Sequence, residues 1–173
     1  MRLLTLTYAT LALLWANAAA AAGVTLEYGV ICELSSQGER SAPETELGRI
    51  NLINQDRRFD VITTQIPAQL GLSFGIRAEF TDETPPQRIE ISVSHPPMGQ
   101  NQVTEQRWDA ALNPDRPSLN VFSLEYPHEL VPGLWEFRIL QDGATIARQQ
   151  FDVLNQPSTR EISRICDGNA VMS

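Results

Sequence analysis

The stretch from Val131 to Leu154, VPGLWEFRILQDGATIARQQFDVL, constrains this chain more than any other. Pro132-Gly133 punctuates its start. Trp135, Phe137 and Ile139 then share one strand face, and Glu136 and Arg138 share the other. Asp142-Gly143 predicts the turn, because glycine accepts positive φ and aspartate tolerates it. On the return strand Ile146 has one parity, and Phe151 and Val153 have the other. A β-bulge near Ala147 to Gln150 is therefore expected, since one extra residue restores a common inward face.

The preceding chain repeats this alternation in shorter pieces. Val24 to Glu33 places Leu26, Tyr28, Val30 and Cys32 on one face. Ser35 to Leu47 is polar and reads as a loop. Ile50 and Leu52 suggest a short strand, and Phe59 to Gln65 is a β-rich run that Pro67 ends or forces to an edge. Leu72 to Phe80 alternates most cleanly. Arg88 to Ser94 does so again, with His95-Pro96-Pro97 closing it, and Thr84-Pro85-Pro86 separates the two. Val103 to Trp108 is anchored by Trp108, Asn113 to Pro117 reads as a loop, and Asn120 to Glu125 points Phe122 and Leu124 inward. After Pro157 the period changes. Ser158 and Glu161 fit a capping box, Ile162, Ile165 and Cys166 fall at helical spacing, and Asp167-Gly168 should end the turn. The sum is an all-β, immunoglobulin-like antiparallel β-sandwich of seven to eight strands with a short C-terminal helix or turn; a small barrel is the alternative closure. Shared parity gives a core of Phe74, Ile76, Ile89, Ile91, Phe122, Trp135, Phe137 and Phe151.

Residues 1–22 read as a signal peptide: Arg2, an apolar run from Leu3 to Trp15, then small residues for cleavage. The run is too short to span a bilayer comfortably, and no cysteine follows it for lipidation, so no membrane anchor is expected after cleavage. Residues 23–173 are then one domain, periplasmic or secreted. Such a compartment is oxidising, and only two cysteines exist, so a Cys32–Cys166 disulfide is expected. The net charge of −8 argues against a nucleic-acid partner, which needs clustered cations.

Motifs with chemistry are few. Gly71-Leu72-Ser73-Phe74-Gly75 matches G-x-S-x-G, but that pattern works at a strand-to-helix turn, and Ser73 lies inside an alternating strand. The glycines there are read as permitting a bend or close strand packing. His95 with Met98, and the distant His128, invite a copper reading; these are few ligands, and His95 has the inward parity of a hydrogen-bonded residue at the core's edge. No catalytic residue, cofactor or metal is assigned.

The segments IPAQLGLSFGIRAEF, RIEISVSHPPM and LVPGLWEFRILQDGATIARQQFDV together resemble a bacterial secreted domain-of-unknown-function family, DUF3859-like. The specific pieces are Ile66-Pro67 with Gly71 and Phe74-Gly75, the His95-Pro96-Pro97 end, and Pro132-Gly133-x-Trp135-x-Phe137. The resemblance implies a small secreted all-β domain and carries over no catalytic residue. The expected role is a non-enzymatic binding or assembly module for an unknown protein or small ligand; the alternatives are a periplasmic copper protein using His95 and Met98, and a small hydrolase.

Overall fold

The computed structural model describes residues 23–80, 88–110, 116–155 and 160–169. The expected signal segment, the Thr84-Pro85-Pro86 break and the Ser158 cap lie outside them. The strands are β1 (Val24–Ile31), β2 (Ser36–Ser41), β3 (Arg49–Ile53), β4 (Gln65–Pro67), β5 (Ser73–Phe80), β6 (Ile89–Met98), β7 (Val103–Ala110), β8 (Ser118–Ser123), β9 (Gly133–Gln141) and β10 (Ala144–Leu154). Among the described residues one α-helix, α1 (Arg160–Asn169), follows, running past the expected stop at Asp167-Gly168. A three-stranded sheet, β1-β5-β8, faces a five-stranded sheet, β4-β10-β9-β6-β7. These eight strands form the expected sandwich, and β2 and β3 add a separate two-stranded ribbon.

The alternation seen in the sequence becomes the core. Phe74, Ile76, Ile89, Ile91, Trp135, Phe137 and Phe151 are all buried in one cluster. Phe74 from β5 meets Trp135, Phe137 and Phe151 across the sandwich at 5.5, 5.9 and 5.3 Å, edge to face. Phe122 departs from expectation: it is half-buried, because β8 is the last strand of its sheet among the described residues and none of these pairs with its far side. The hairpin pairs Gln141 with Ala144, and Asp142 and Gly143 both have positive φ, 50° and 78°. That is the mirror-image turn whose twist matches a hairpin. The bulge falls between Thr145 and Ala147, on Ile146, one residue before the expected window.

Other departures have local causes. Ser36–Ser41 forms a strand although all six residues are exposed, because its ladder to β3 requires no apolar face. The Phe59 to Gln65 run is mostly not strand: Val61 makes a single bridge to Val30, and only Gln65–Pro67 pairs, in parallel, with β10 at the sheet edge. Strand β6 continues through His95-Pro96-Pro97 to Met98, but its ladder to β7 breaks between Ser94 and Met98, where the prolines lack donors. Close packing explains Gly75, as expected: a Cβ there would lie 2.2 Å from the Asn120 carbonyl oxygen of β8.

Candidate functional site

Strands β7 and β8 are each the last strand of a sheet and lie on the same side of the sandwich. The Trp108 indole N–H donates to Asn120 Oδ1 (3.3 Å), joining the two edges. The inward residues here are polar: Gln106, Ser118 and Asn120 are buried. The β2–β3 ribbon lies against this side. Arg107 N–H donates to the Glu44 carbonyl (3.1 Å), Glu46 N–H to Gln106 Oε1 (2.9 Å), and the Asn51 amide to Glu125 Oε1 (2.9 Å). Arg40 reaches the Asp109 carbonyl. Between ribbon and edges runs a cleft of about 330 Å³ with a mostly apolar lining that includes Ile50, Leu52, Trp108, Leu119 and Phe122. Its size falls at the lower end of small-ligand sites.

The cleft wall is braced from the core. His95 is buried and stacks on Trp135, with ring centroids 4.6 Å apart. Its Nδ1–H donates to the Pro96 carbonyl (2.9 Å), which leaves Nε2 to accept from the Gln106 amide (3.2 Å). Gln106 in turn holds Glu46 N–H, and Glu46 Oε2 meets His128 Nε2 at 3.2 Å. The expectation of a hydrogen-bonded histidine at the core's edge therefore describes His95 well. Burial lowers its pKa, against smaller opposing contributions from the Pro96 carbonyl and the Glu46 charge. The unfolded chain then takes up a proton below its ordinary value of about 6.5 that the folded chain refuses, so this group's contribution to stability falls as pH drops. We expect His95→Gln to lose less stability than wild type between pH 7 and pH 5, read as denaturation midpoints; parallel profiles would contradict the assignment.

Glu46 and Glu129 line the cleft, and with the neighbouring His128 they bring ligand atoms within 4.8 Å of one another. Glu129 is buried, and its Oε2 accepts from the N–H groups of Glu125 (2.6 Å) and Tyr126 (2.8 Å). Burial raises its pKa, opposed by those two bonds. One imidazole and two carboxylates are a donor set for a divalent cation, although Glu129 already serves the chain turn at Pro127–Glu129.

The sequence-named residues are dispersed. His95 and His128 do not share a ligand cluster among the described residues, and Met98 is buried in the core. Ser73 is buried in β5, with its hydroxyl 2.7 Å from that of Ser123, not at a strand-to-helix turn. Cys32 and Cys166 are joined, with Cα atoms 5.2 Å apart, as expected. Sequence reasoning missed Gln106, Glu46 and strand β2, although the short strand expected at Ile50 and Leu52 is β3. A buried glutamine sharing the parity of Trp108 was the one available signal.

A family model described as "Domain of unknown function (DUF3859)" matches residues 21–153. No curated protein matches the chain. Among solved structures, an immunoglobulin-like protein from Pseudomonas aeruginosa is similar at 22% identity, covering 78% of this chain and 99% of its own, with a TM-score of 0.48.

Proposed function

Since the chain belongs to the DUF3859 family, a domain of unknown function, we propose a role from its geometry: a non-enzymatic binding module, exported by its first 22 residues, that holds its ligand in the cleft between the β2–β3 ribbon and the edges of β7 and β8. The observation that carries this reading is the cleft itself, a mostly apolar hollow of about 330 Å³ on a folded domain, with Leu52 left 43% exposed at its wall. Large apolar side chains left exposed around a concavity are a feature of binding surfaces. The disulfide supports the exported location, because such bridges persist in oxidising compartments.

The test places a photo-crosslinking residue at position 52 of the protein expressed in its own envelope, with position 62 as control, since Ile62 is 66% exposed and lies outside the cleft. A defined adduct at 52 and none at 62 is expected, on a protein whose N-terminus is no longer Met1. Equal labelling at both positions, or none at 52, overturns the cleft as the site.

A further inference from the structure

Every residue of β3 from Arg49 to Ile53, and every residue of β8 from Ser118 to Ser123, lines the cleft. A hollow over one face of a strand would be lined by alternate residues only. Consecutive lining means that the cleft runs along strand edges. On β8 the outward groups can be identified. Leu124 bonds back to Leu72 and Gly71, on the β5 side, while Leu119 N–H points the other way, to Gln55 Oε1 (2.8 Å). By alternation, Val121 and Ser123 also direct N–H and C=O off the free edge. No described residue bonds to those groups. On β3 the Arg49 and Ile53 carbonyls are taken by the side chains of Thr45 (3.1 Å) and Gln55 (3.3 Å), so the intervening Asn51 presents its main chain on the same side.

Gln55 indicates what fits between. Its side-chain amide accepts from β8 at Leu119 and donates to β3 at Ile53. One amide thus bridges the two edges as a peptide group of an intervening strand would. Beyond it the gap continues toward Glu46, Glu125 and Glu129, none of which is ion-paired with an arginine among the described residues.

We infer that the cleft takes an extended peptide as an added strand between β8 and β3, its main chain bonded to Val121 and Ser123 and a cationic residue seated against Glu46, Glu125 and Glu129. This rests on the cleft being the binding site. Strand addition draws affinity from main-chain bonds and selectivity from alternate side chains, and the carboxylates at one end supply the charge complement.

The experiment uses residues 23–173 with the disulfide intact and a pool of blocked hexapeptides that alternate valine or leucine with threonine and carry one lysine at either end. Binding is read by calorimetry, and amide exchange by NMR. Expected are slowed exchange at Val121 and Ser123, and at least about tenfold weaker binding when alternate peptide nitrogens are methylated in one phase but not in the other. Val121→Pro, which removes an N–H that the fold does not use, should weaken binding similarly, and Glu125→Gln should weaken the lysine-bearing peptides. Binding that Leu52→Asp reduces, but that both methylation phases leave equal, overturns strand addition while the cleft reading stands. No peptide binding, with a position-52 adduct still formed, overturns it in the same way. No binding and no adduct overturns both.

Discussion

Phe74→Ala should lower the unfolding free energy by about 3–5 kcal/mol, the range for removing a large buried ring whose space cannot close. Phe74 is fully buried near the start of β5, the middle strand of its sheet, and faces the opposite sheet. Its ring contacts Trp135, Phe137 and Phe151 from the opposite sheet and Phe122 from its own, with centroids 5.3 to 6.3 Å away. The substitution removes those aromatic pairs together with the transfer free energy of the ring, and strands on both sides hold the cavity open. Leu134→Ala is the control: Leu134 is 60% exposed, and a change there should stay within about 0.5 kcal/mol. Chemical denaturation of both variants measures the difference. A Phe74→Ala loss comparable to the control would mean that the aromatic cluster is not the centre of the core.

Breaking the Cys32–Cys166 bridge should cost up to about 5 kcal/mol, the chain-entropy figure for a loop spanning 134 residues; native bridges often deliver less. The effect should also be uneven. Among the described residues, helix α1 packs on the core through Ile162, which is buried, and Ile165, which is partly buried, and the bridge at Cys166 ties it covalently to the end of β1. Reduction, or a paired Cys32→Ser and Cys166→Ser change, should therefore speed amide exchange over Arg160–Asn169 before it does so in β5 or β9. Equal protection in both redox states would show that packing alone holds the helix.

The fold was legible wherever one strand face is buried. In β5, β6 and β9 apolar residues recur every second position, so parity identified the core and the turn residues placed the β9–β10 hairpin. The conflict between Ile146 and Phe151 required a bulge and pointed to the residues between them, but the ladder skips Ile146 itself, so the residue whose parity disagreed is the bulged one. Strand β2 was illegible because SQGERS buries nothing and so carries no period. Phe122 has inward parity, but its burial depends on a neighbouring strand that its sheet lacks. The cleft was out of reach for a related reason. Its apolar lining, with Ile50, Leu52, Trp108 and Phe122, comes from separate segments that only the fold brings together, and its strand edges are main chain, which is the same for every residue type. Of its side-chain braces, Glu46 and Gln55 lie in polar stretches that read as solvated surface, and only Gln106, with the parity of Trp108, could have left a trace.

The bridge between Cys32 and Cys166 has a mechanical consequence as well. Strands β2 to β10, and with them the ribbon and the cleft, lie on the chain between these two residues, and only β1 precedes them. Tension applied to the two ends of residues 23–173 would pass from β1 through the sulfur atoms into α1, so the load would bypass β2 to β10. An extended chain of that loop would measure on the order of 450 Å, and none of that length can be pulled out while the sulfurs stay joined. Oxidised, the domain behaves under load as a short inextensible link; reduced, it becomes an extensible one.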